Sequence, residues 1–204
     1  AGNGFYNINR ERYRKLVIAY GTPRVIMKLS LQYADGEKVA VITDETWKTA
    51  PSPVTYTSIY GGEDYDARLE QKGWNTPGFD DSEWSKALLD KPPDGKLRAE
   101  SDHPVRIMES FKPVTILNRG GKGFVYDFGQ NASGIIKLTV AGSEGMEVRI
   151  LPGELLSDDS LVIQKATGDP YYFQYTLKGE QKESWIPRFT YYGFRYAEIR
   201  GAVP

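Results

Sequence analysis

Apolar and polar side chains alternate along short stretches near the start of this chain. In residues 24–33, apolar side chains occupy every second position, starting with Val25 and ending with Tyr33, and residues 38–43 alternate again. A period of two places one set of side chains on a single face of a β-strand. Asp35 and Gly36 lie between the two stretches, and the glycine supplies the positive φ of a tight turn. The pattern predicts a β-hairpin with one face on a core.

Further strands are predicted along the rest of the chain. Residues 136–140 and residues 146–150 each place apolar side chains on one face, and the glycines at positions 142 and 145 predict a turn between them. These two stretches therefore predict a second hairpin. Other strand candidates, rich in the aromatic and β-branched residues that strands favour, are residues 54–60, 171–177 and 189–200.

Helix is predicted at one place only. In residues 80–88, Asp80 or Asp81 can cap one or two turns ahead of Trp84 and Leu88. The 204 residues include 21 glycines and 12 prolines, which fits strands separated by frequent turns. The sequence therefore predicts an all-β fold: two antiparallel β-sandwich units of jelly-roll or concanavalin-like type, with little helix and the first unit truncated.

A turn-rich segment interrupts the strand pattern near the middle of the chain. It begins with two prolines, Pro92 and Pro93, and ends at Asp102-His103-Pro104. The prediction is a first β-rich module at residues 1–92, a linker at residues 93–104 and a second sandwich at residues 105–204.

Composition excludes several classes of function. Hydrophobic residues make up 40% and charged residues 26%, and the net charge of −1 gives no electrostatic footprint for nucleic acid. No apolar stretch has the length of a bilayer crossing, and the first residues lack the profile of a signal peptide. The compartment stays open, because the chain has no cysteine and proteins without disulfides occur in every compartment. With no cysteine and a single histidine, His103, thiolate metal sites and multi-histidine sites are excluded. Carboxylates remain as the candidate catalytic groups.

An acidic cluster occupies residues 61–68. Strand alternation would place Asp64, Asp66 and Arg68 on one side, where Asp64 and Asp66 are candidate calcium ligands. The alternative is an ion pair between Arg68 and one of the aspartates, because structural ion pairs outnumber ion sites. The sequence favours the ion pair, and it implies no other cofactor.

Aromatic residues form a second candidate site. They make up 13% of the chain, and 14 of them are tyrosines. Sugars present C–H faces to flat rings and hydroxyls to carboxylates, so Tyr65, Asp66 and Trp74 are candidate carbohydrate-binding residues. The alternative is core packing, which is favoured for the aromatic side chains of residues 191–196.

A conspicuous motif follows the strand candidate at residues 123–127. It reads Asp127, Phe128, Gly129, Gln130 and Asn131. We expect an architectural role, in which the phenylalanine enters the core, the glycine turns the chain and the polar side chains bond exposed backbone groups. In the alternative interpretation, Gln130 or Asn131 reaches outward to a sugar or a neighbouring domain.

Taken in order, several segments resemble bacterial α-L-rhamnosidases, glycoside hydrolase family 78. The resemblance covers nearly the whole chain, from the family's N-terminal module to its adjoining concanavalin-like β-sandwich. The segments that resemble the N-terminal module are residues 33–36, 43–48, 60–68, 73–74 and 78–84. Those that resemble the concanavalin-like β-sandwich are residues 104–106, 125–131, 133–134, 152–154 and 189–196.

The resemblance implies that a catalytic (α/α)6 barrel follows these sandwiches and carries the general acid and general base of an inverting hydrolysis. A β-rich chain cannot contain that barrel, so no catalytic residue is assigned here. The implied partners are a rhamnose-containing carbohydrate, through the parent enzyme, and the C-terminal barrel of the same polypeptide. Three hypotheses remain: a non-catalytic scaffold, which is favoured, a carbohydrate-binding module at residues 63–74, with or without a dependence on calcium, and a self-contained lectin-like sandwich.

Overall fold

The computed structural model describes residues 2–4, 6–7, 11–13, 19–92, 94–99, 101–158, 161–164 and 168–202. Within these ranges the chain forms short strands and two 3₁₀ turns, Ala67–Leu69 and Gly120–Lys122. No helix in this part of the chain is long and apolar enough to span a membrane. The strands are β1 (Lys28–Gln32), β2 (Lys38–Ile42), β3 (Lys48–Thr49), β4 (Val54–Ser58), β5 (Gly62–Asp66), β6 (Ser85–Lys86), β7 (Thr115–Asn118), β8 (Phe124–Gly134), β9 (Leu138–Val140), β10 (Glu147–Gly153), β11 (Leu155–Leu156), β12 (Val162–Ile163), β13 (Phe173–Thr176), β14 (Glu183–Trp185) and β15 (Tyr192–Arg200). The all-β prediction is confirmed.

The chain divides into two compact units, each built from separated stretches. The sandwich unit comprises residues 1–23, 52–70 and 111–204, and the hairpin unit comprises residues 24–51 and 71–110. The division predicted from the sequence was contiguous, with its boundary at residues 93–104, and it stays a prediction about domains.

The sandwich unit is built on a seven-stranded sheet in the order β4-β5-β13-β10-β15-β8-β7. All neighbouring strands are antiparallel except β5 and β13, which are parallel. Side chains of β10, β13 and β15 pack with those of the two-stranded β14-β9 sheet in one hydrophobic core. Phe173, Ile150 and Val148 are fully buried in that core. Two sheets that share a core in this way form a β-sandwich.

The second predicted hairpin is wrong. β9 pairs with β14, whereas β10 pairs with β13 and β15. The apolar faces were correctly identified, because Leu138, Val140, Val148 and Ile150 all lie in the core cluster. Their strands belong to different sheets, so the connection between them crosses from one layer of the sandwich to the other.

The first predicted hairpin is present in the hairpin unit. β1 and β2 are antiparallel, with Gln32 opposite Lys38, and Gly36 has a φ of +91° in the connecting turn. However, Leu29, Leu31 and Tyr33 are between 37 and 50% exposed. The prediction that this face of the hairpin lies on a core is therefore wrong.

The predicted helix at residues 80–88 is also absent. The Asp80 side chain accepts a hydrogen bond from the Ser82 backbone N–H at 3.0 Å, and Trp84 N–H donates to the Asp81 carbonyl. The chain then enters β6, which pairs with β3. Short polar side chains that bond nearby backbone groups compete with helix in this way.

Candidate functional site

The acidic cluster begins at a glycine turn between β4 and β5. Gly62 has a φ of +101°, and a Cβ at this position would lie 1.8 Å from the carbonyl oxygen of Tyr172. Only glycine fits both the conformation and the space. β5 then runs parallel to β13, with Asp64 opposite Gln174. The turn therefore places the acidic side chains within the large sheet.

Asp64 forms a largely buried bidentate ion pair with Arg12. Nη1 of Arg12 donates to Oδ1 at 2.9 Å and Nη2 donates to Oδ2. The guanidinium carbon lies 4.2 Å from the Tyr56 ring centroid and 3.5 Å from that of Tyr172. Burial raises the pKa of Asp64, and the hydrogen bonds and charge of Arg12 oppose that rise. Both oxygens of Asp64 are thus committed to a desolvated arginine.

Asp66 is paired with Arg68. Its Oδ1 caps the 3₁₀ turn by accepting the Arg68 backbone N–H at 3.1 Å, and the guanidinium donates to both carboxylate oxygens at 2.9 and 2.7 Å. The side-chain hydrogen bonds of Arg68 lower the pKa of Asp66 more than burial raises it. Among the residues that the structure describes, no group of three or more His, Cys, Asp or Glu side chains could hold a metal ion. Calcium binding at Asp64 and Asp66 stays a prediction, and it would require both arginines to move.

The predicted sugar platform is divided between the two units. In the sandwich unit, the Tyr65 ring stacks on Tyr175 at 5.8 Å, and its hydroxyl donates to Glu70 Oε1 at 2.9 Å. Burial, followed by the hydrogen bond to Glu70, raises the pKa of Tyr65. In the hairpin unit, Trp74 is 57% exposed. Tyr65 is thus occupied with packing, while Trp74 presents its ring to solvent.

The motif that starts at Asp127 lies inside β8 rather than after a strand. β8 pairs with β15 on both sides of an irregularity, with Asp127 opposite Tyr196 and Ala132 opposite Phe194. Arg195 lies opposite this bulge and donates to both oxygens of Asp127 at 2.8 Å. Asp127 also accepts the backbone N–H of Gly129 at 2.7 Å, and the φ of Gly129 is +81°. The side-chain hydrogen bonds of Arg195 lower the pKa of Asp127.

The other side chains of the motif diverge. Phe128 packs against the core cluster and meets the Phe194 ring edge-on at 5.7 Å. Gln130 and Asn131 are exposed, and the Asn131 amide donates to Glu154 Oε1 at 2.8 Å. Asn131 therefore bonds a surface carboxylate and not the backbone group that the sequence predicts. The architectural role of the motif as a whole stays a prediction.

A pocket that the sequence did not predict opens beside that carboxylate. We call it the tyrosine pocket; its lining residues are Tyr13, Tyr60, Glu154, Tyr171, Tyr192 and Gly193. Tyr13 and Tyr60 stack with ring centroids 4.8 Å apart, and Tyr171 and Tyr192 lie 4.7 Å apart. The Tyr192 hydroxyl donates to the Tyr60 carbonyl at 2.9 Å. The residues come from distant parts of the chain, so no local sequence pattern could reveal their assembly.

Family models match almost the whole chain. Residues 1–109 match the α-L-rhamnosidase N-terminal domain, and residues 118–204 match the bacterial α-L-rhamnosidase concanavalin-like domain. The first match alone covers more than half of the chain. The chain therefore belongs to the α-L-rhamnosidase family, and the resemblance stated from the sequence is confirmed.

Individual relatives agree with this assignment. An α-L-rhamnosidase of Formosa agariphila is 35% identical over 98% of this chain, and one of Streptomyces avermitilis is 35% identical over 88%. Among solved structures, the α-L-rhamnosidase of Dictyoglumus thermophilum superposes with a TM-score of 0.82 at 43% identity over 88% of this chain and 21% of its own. The Streptomyces avermitilis enzyme complexed with L-rhamnose gives 0.78 at 34% identity over 87% of this chain and 18% of its own. The chain spans 22% and 18% of the lengths of the two curated relatives, about a fifth of each.

Proposed function

We propose that this chain is a non-catalytic β-sandwich part of an α-L-rhamnosidase. In the whole enzyme, it would scaffold an (α/α)6 catalytic barrel that removes terminal α-L-rhamnose from glycans or glycosides. The observation that carries the proposal is that the chain matches an N-terminal and a concanavalin-like domain model and spans about a fifth of the length of its relatives.

The bonding of the carboxylates supports a non-catalytic role. An inverting glycosidase needs two carboxyl groups about 6.5–9.5 Å apart, with room between them for a sugar and a water. In the sandwich unit, Asp64, Asp66 and Asp127 are each held by an arginine through both oxygens. Glu183 accepts four hydrogen bonds, and Glu63 is fully buried. These five carboxylates are bonded or buried within the fold, which favours a structural role over a catalytic one.

Exposed apolar side chains on the sandwich unit support a scaffolding role. Phe111, Val114 and Ile116, in and beside the edge strand β7, are at least 44% exposed. Apolar surface at a sheet edge is typical of a face that another domain covers.

Deletion in the whole enzyme tests the scaffold proposal. Removing residues 1–204 should lower the yield of soluble enzyme and the melting temperature of the remaining catalytic part. A deletion variant that keeps the solubility, the melting temperature and the kcat of the whole enzyme would contradict the proposal.

A second candidate function is a carbohydrate-binding module at residues 63–74. The exposed ring of Trp74 is the observation that favours it. A glycan array with and without chelator tests it. Rhamnose-containing glycans should bind and, if Asp64 or Asp66 holds calcium, binding should fall with chelator. An array without signal in either condition would exclude this function.

A further inference from the structure

We propose that the tyrosine pocket binds one pyranose ring of a neutral carbohydrate. This inference goes beyond scaffolding and does not depend on the calcium candidates. The pocket has a volume of about 210 Å³, below the roughly 300 Å³ at which pockets for drug-sized ligands begin. A single sugar ring suits that size better than an oligosaccharide.

Four tyrosines supply the aromatic lining of the pocket. Stacking between Tyr13 and Tyr60, 22° from parallel, uses one face of each ring. Both residues are partly exposed, whereas Tyr171 forms the buried part of the lining. Tyrosine supplies a rigid apolar body with a polar tip, a combination that favours contact with the C–H face of a pyranose.

A carboxylate supplies the polar side of the pocket. Asn131 donates to Glu154 Oε1, which orients the carboxylate and leaves Oε2 able to accept hydrogen bonds from sugar hydroxyls. Gly193 lies against it, and a Cβ there would approach Glu154 Oε1 to 3.3 Å. The glycine therefore keeps the approach to the carboxylate open. The negative charge favours hydroxyl donors and disfavours acidic sugars, because like charges repel.

Backbone strain at Tyr13 independently marks this pocket. Its φ is +54°, the left-handed region that bulky residues rarely occupy. The backbone N–H of Tyr13 donates to the Pro170 carbonyl at 3.1 Å, and a Cβ on Gly168 would lie 2.5 Å from the Tyr13 ring. Strained residues held by their surroundings cluster at binding sites. The chain thus holds the Tyr13 ring in place at an energetic cost.

Calorimetric titration and saturation-transfer NMR of the whole 204-residue chain test the proposal. The probes are methyl α-L-rhamnopyranoside, methyl α-D-glucopyranoside and, as the acidic counterpart, D-glucuronate. Chelator is present throughout, so a calcium-dependent site cannot contribute. We expect at least one neutral glycoside to bind with a Kd on the order of 1 mM, equivalent to about −4 kcal/mol, and glucuronate to bind at least tenfold more weakly.

Two surface variants connect binding to the pocket. Glu154→Gln keeps the shape of the side chain and should weaken binding about tenfold, and Tyr13→Ala should abolish it. Glu180→Gln and Tyr33→Ala change an exposed glutamate and an exposed tyrosine elsewhere and should leave the Kd unchanged. If Tyr13→Ala fails to fold, Glu154→Gln still decides. The proposal is overturned if no neutral glycoside binds at tens of millimolar, if glucuronate binds equally well, or if Glu154→Gln binds like the unchanged chain.

Discussion

Glu63 and Glu183 are both buried in the sandwich unit, but their carboxylates differ in how many hydrogen bonds they accept. Glu183 accepts hydrogen bonds from the Tyr175 hydroxyl and from three backbone N–H groups of residues 178–180. Glu63 accepts two backbone N–H groups through Oε2, while no residue that the structure describes forms a hydrogen bond with its Oε1. Burial raises the pKa of Glu63 more than these hydrogen bonds lower it. At Glu183 burial also opposes ionisation, but the hydrogen bonds outweigh it and hold the pKa below the usual value.

We predict that Glu63→Gln increases stability at neutral pH. Below the usual glutamate pKa of 4.5, Glu63 is protonated in both the folded and the unfolded chain and has no pH-dependent effect. Above it, the unfolded chain loses the proton more readily, so ionisation of Glu63 lowers stability as the pH rises toward the folded pKa. Denaturant melts from pH 4 to pH 8 should show that the free energy of unfolding of the variant, relative to that of the unchanged chain, increases as the pH rises.

Glu183→Gln provides the matched comparison. The folded pKa of Glu183 is lowered, so its stabilising contribution is present above the usual pKa and is lost as the pH falls through the folded value. The variant should therefore be less stable than the unchanged chain at pH 7, with a difference that shrinks in acid. Parallel pH profiles for both variants would contradict the distinction.

The pair of Arg12 and Asp64 yields a second prediction at this scale. Arg12→Met removes the partner of a buried carboxylate and should cost about 3–5 kcal/mol in the free energy of unfolding. Arg24→Met, at the exposed pair of Arg24 and Asp90, should cost at most about 1 kcal/mol. Urea melts measure the loss of unfolding free energy in both variants. Equal losses would contradict the prediction that the buried pair stabilises the chain more than the exposed pair.

At the scale of elements, alternation identifies which side chains share one face of a strand, but not the strand with which it pairs. Residues 28–42 are close in sequence and joined by a turn around Gly36, so their hairpin could be predicted. β9 and β10 show equally regular alternation, yet each pairs with a strand distant in sequence. Which strand each of them pairs with depends on packing between the two layers of the sandwich. No local sequence pattern indicates that packing.

The bulge in β8 gives a prediction for the motif at Asp127. Phe128→Ala should cost about 3 kcal/mol, because it removes a ring that packs on the core cluster. Asn131→Ala should change stability by less than about 0.5 kcal/mol, since its bond to Glu154 is exposed. Denaturant melts of both variants test this. A loss above about 1 kcal/mol for Asn131→Ala would contradict this expectation and support the architectural role predicted from the sequence.

At the scale of the whole molecule, the seven-stranded sheet combines both family matches. β4 and β5 lie within residues 1–109, whereas the other five strands come from the concanavalin-like stretch or just before it. Glu63, on β5, accepts backbone N–H groups of Arg188 and Phe189. Hydrogen bonds and sheet pairing within this unit thus cross the boundary between the matched domains.

Residues 105–204 alone should therefore be less stable than the whole chain. Without β4 and β5, the edge of β13 loses its parallel partner and becomes open to pairing with other chains. Thermal melts and size-exclusion chromatography should show a lower melting temperature and self-association. A monomeric fragment that melts at the temperature of the whole chain would instead support the contiguous boundary near residues 93–104.

Sequence motifs identify the family, but they do not predict the tyrosine pocket. The resemblance rested on segments that keep their order along the chain, and the family models match the same regions. The sequence predicts only core packing for Tyr192, and no sequence pattern singles out Tyr13. Their meeting with Glu154 depends on how β10 and β15 pair, with Gly153 opposite Tyr196. Only the assembled sheet reveals it.

Kinetics of the purified chain test the central claim most directly. Because the chain matches only an N-terminal and a concanavalin-like domain, and because Asp64, Asp66 and Asp127 are bound to arginines, the 204-residue chain should not hydrolyse an aryl α-L-rhamnoside above the uncatalysed rate. Turnover that co-purifies with the chain through successive columns would contradict the claim that this part of an α-L-rhamnosidase is non-catalytic.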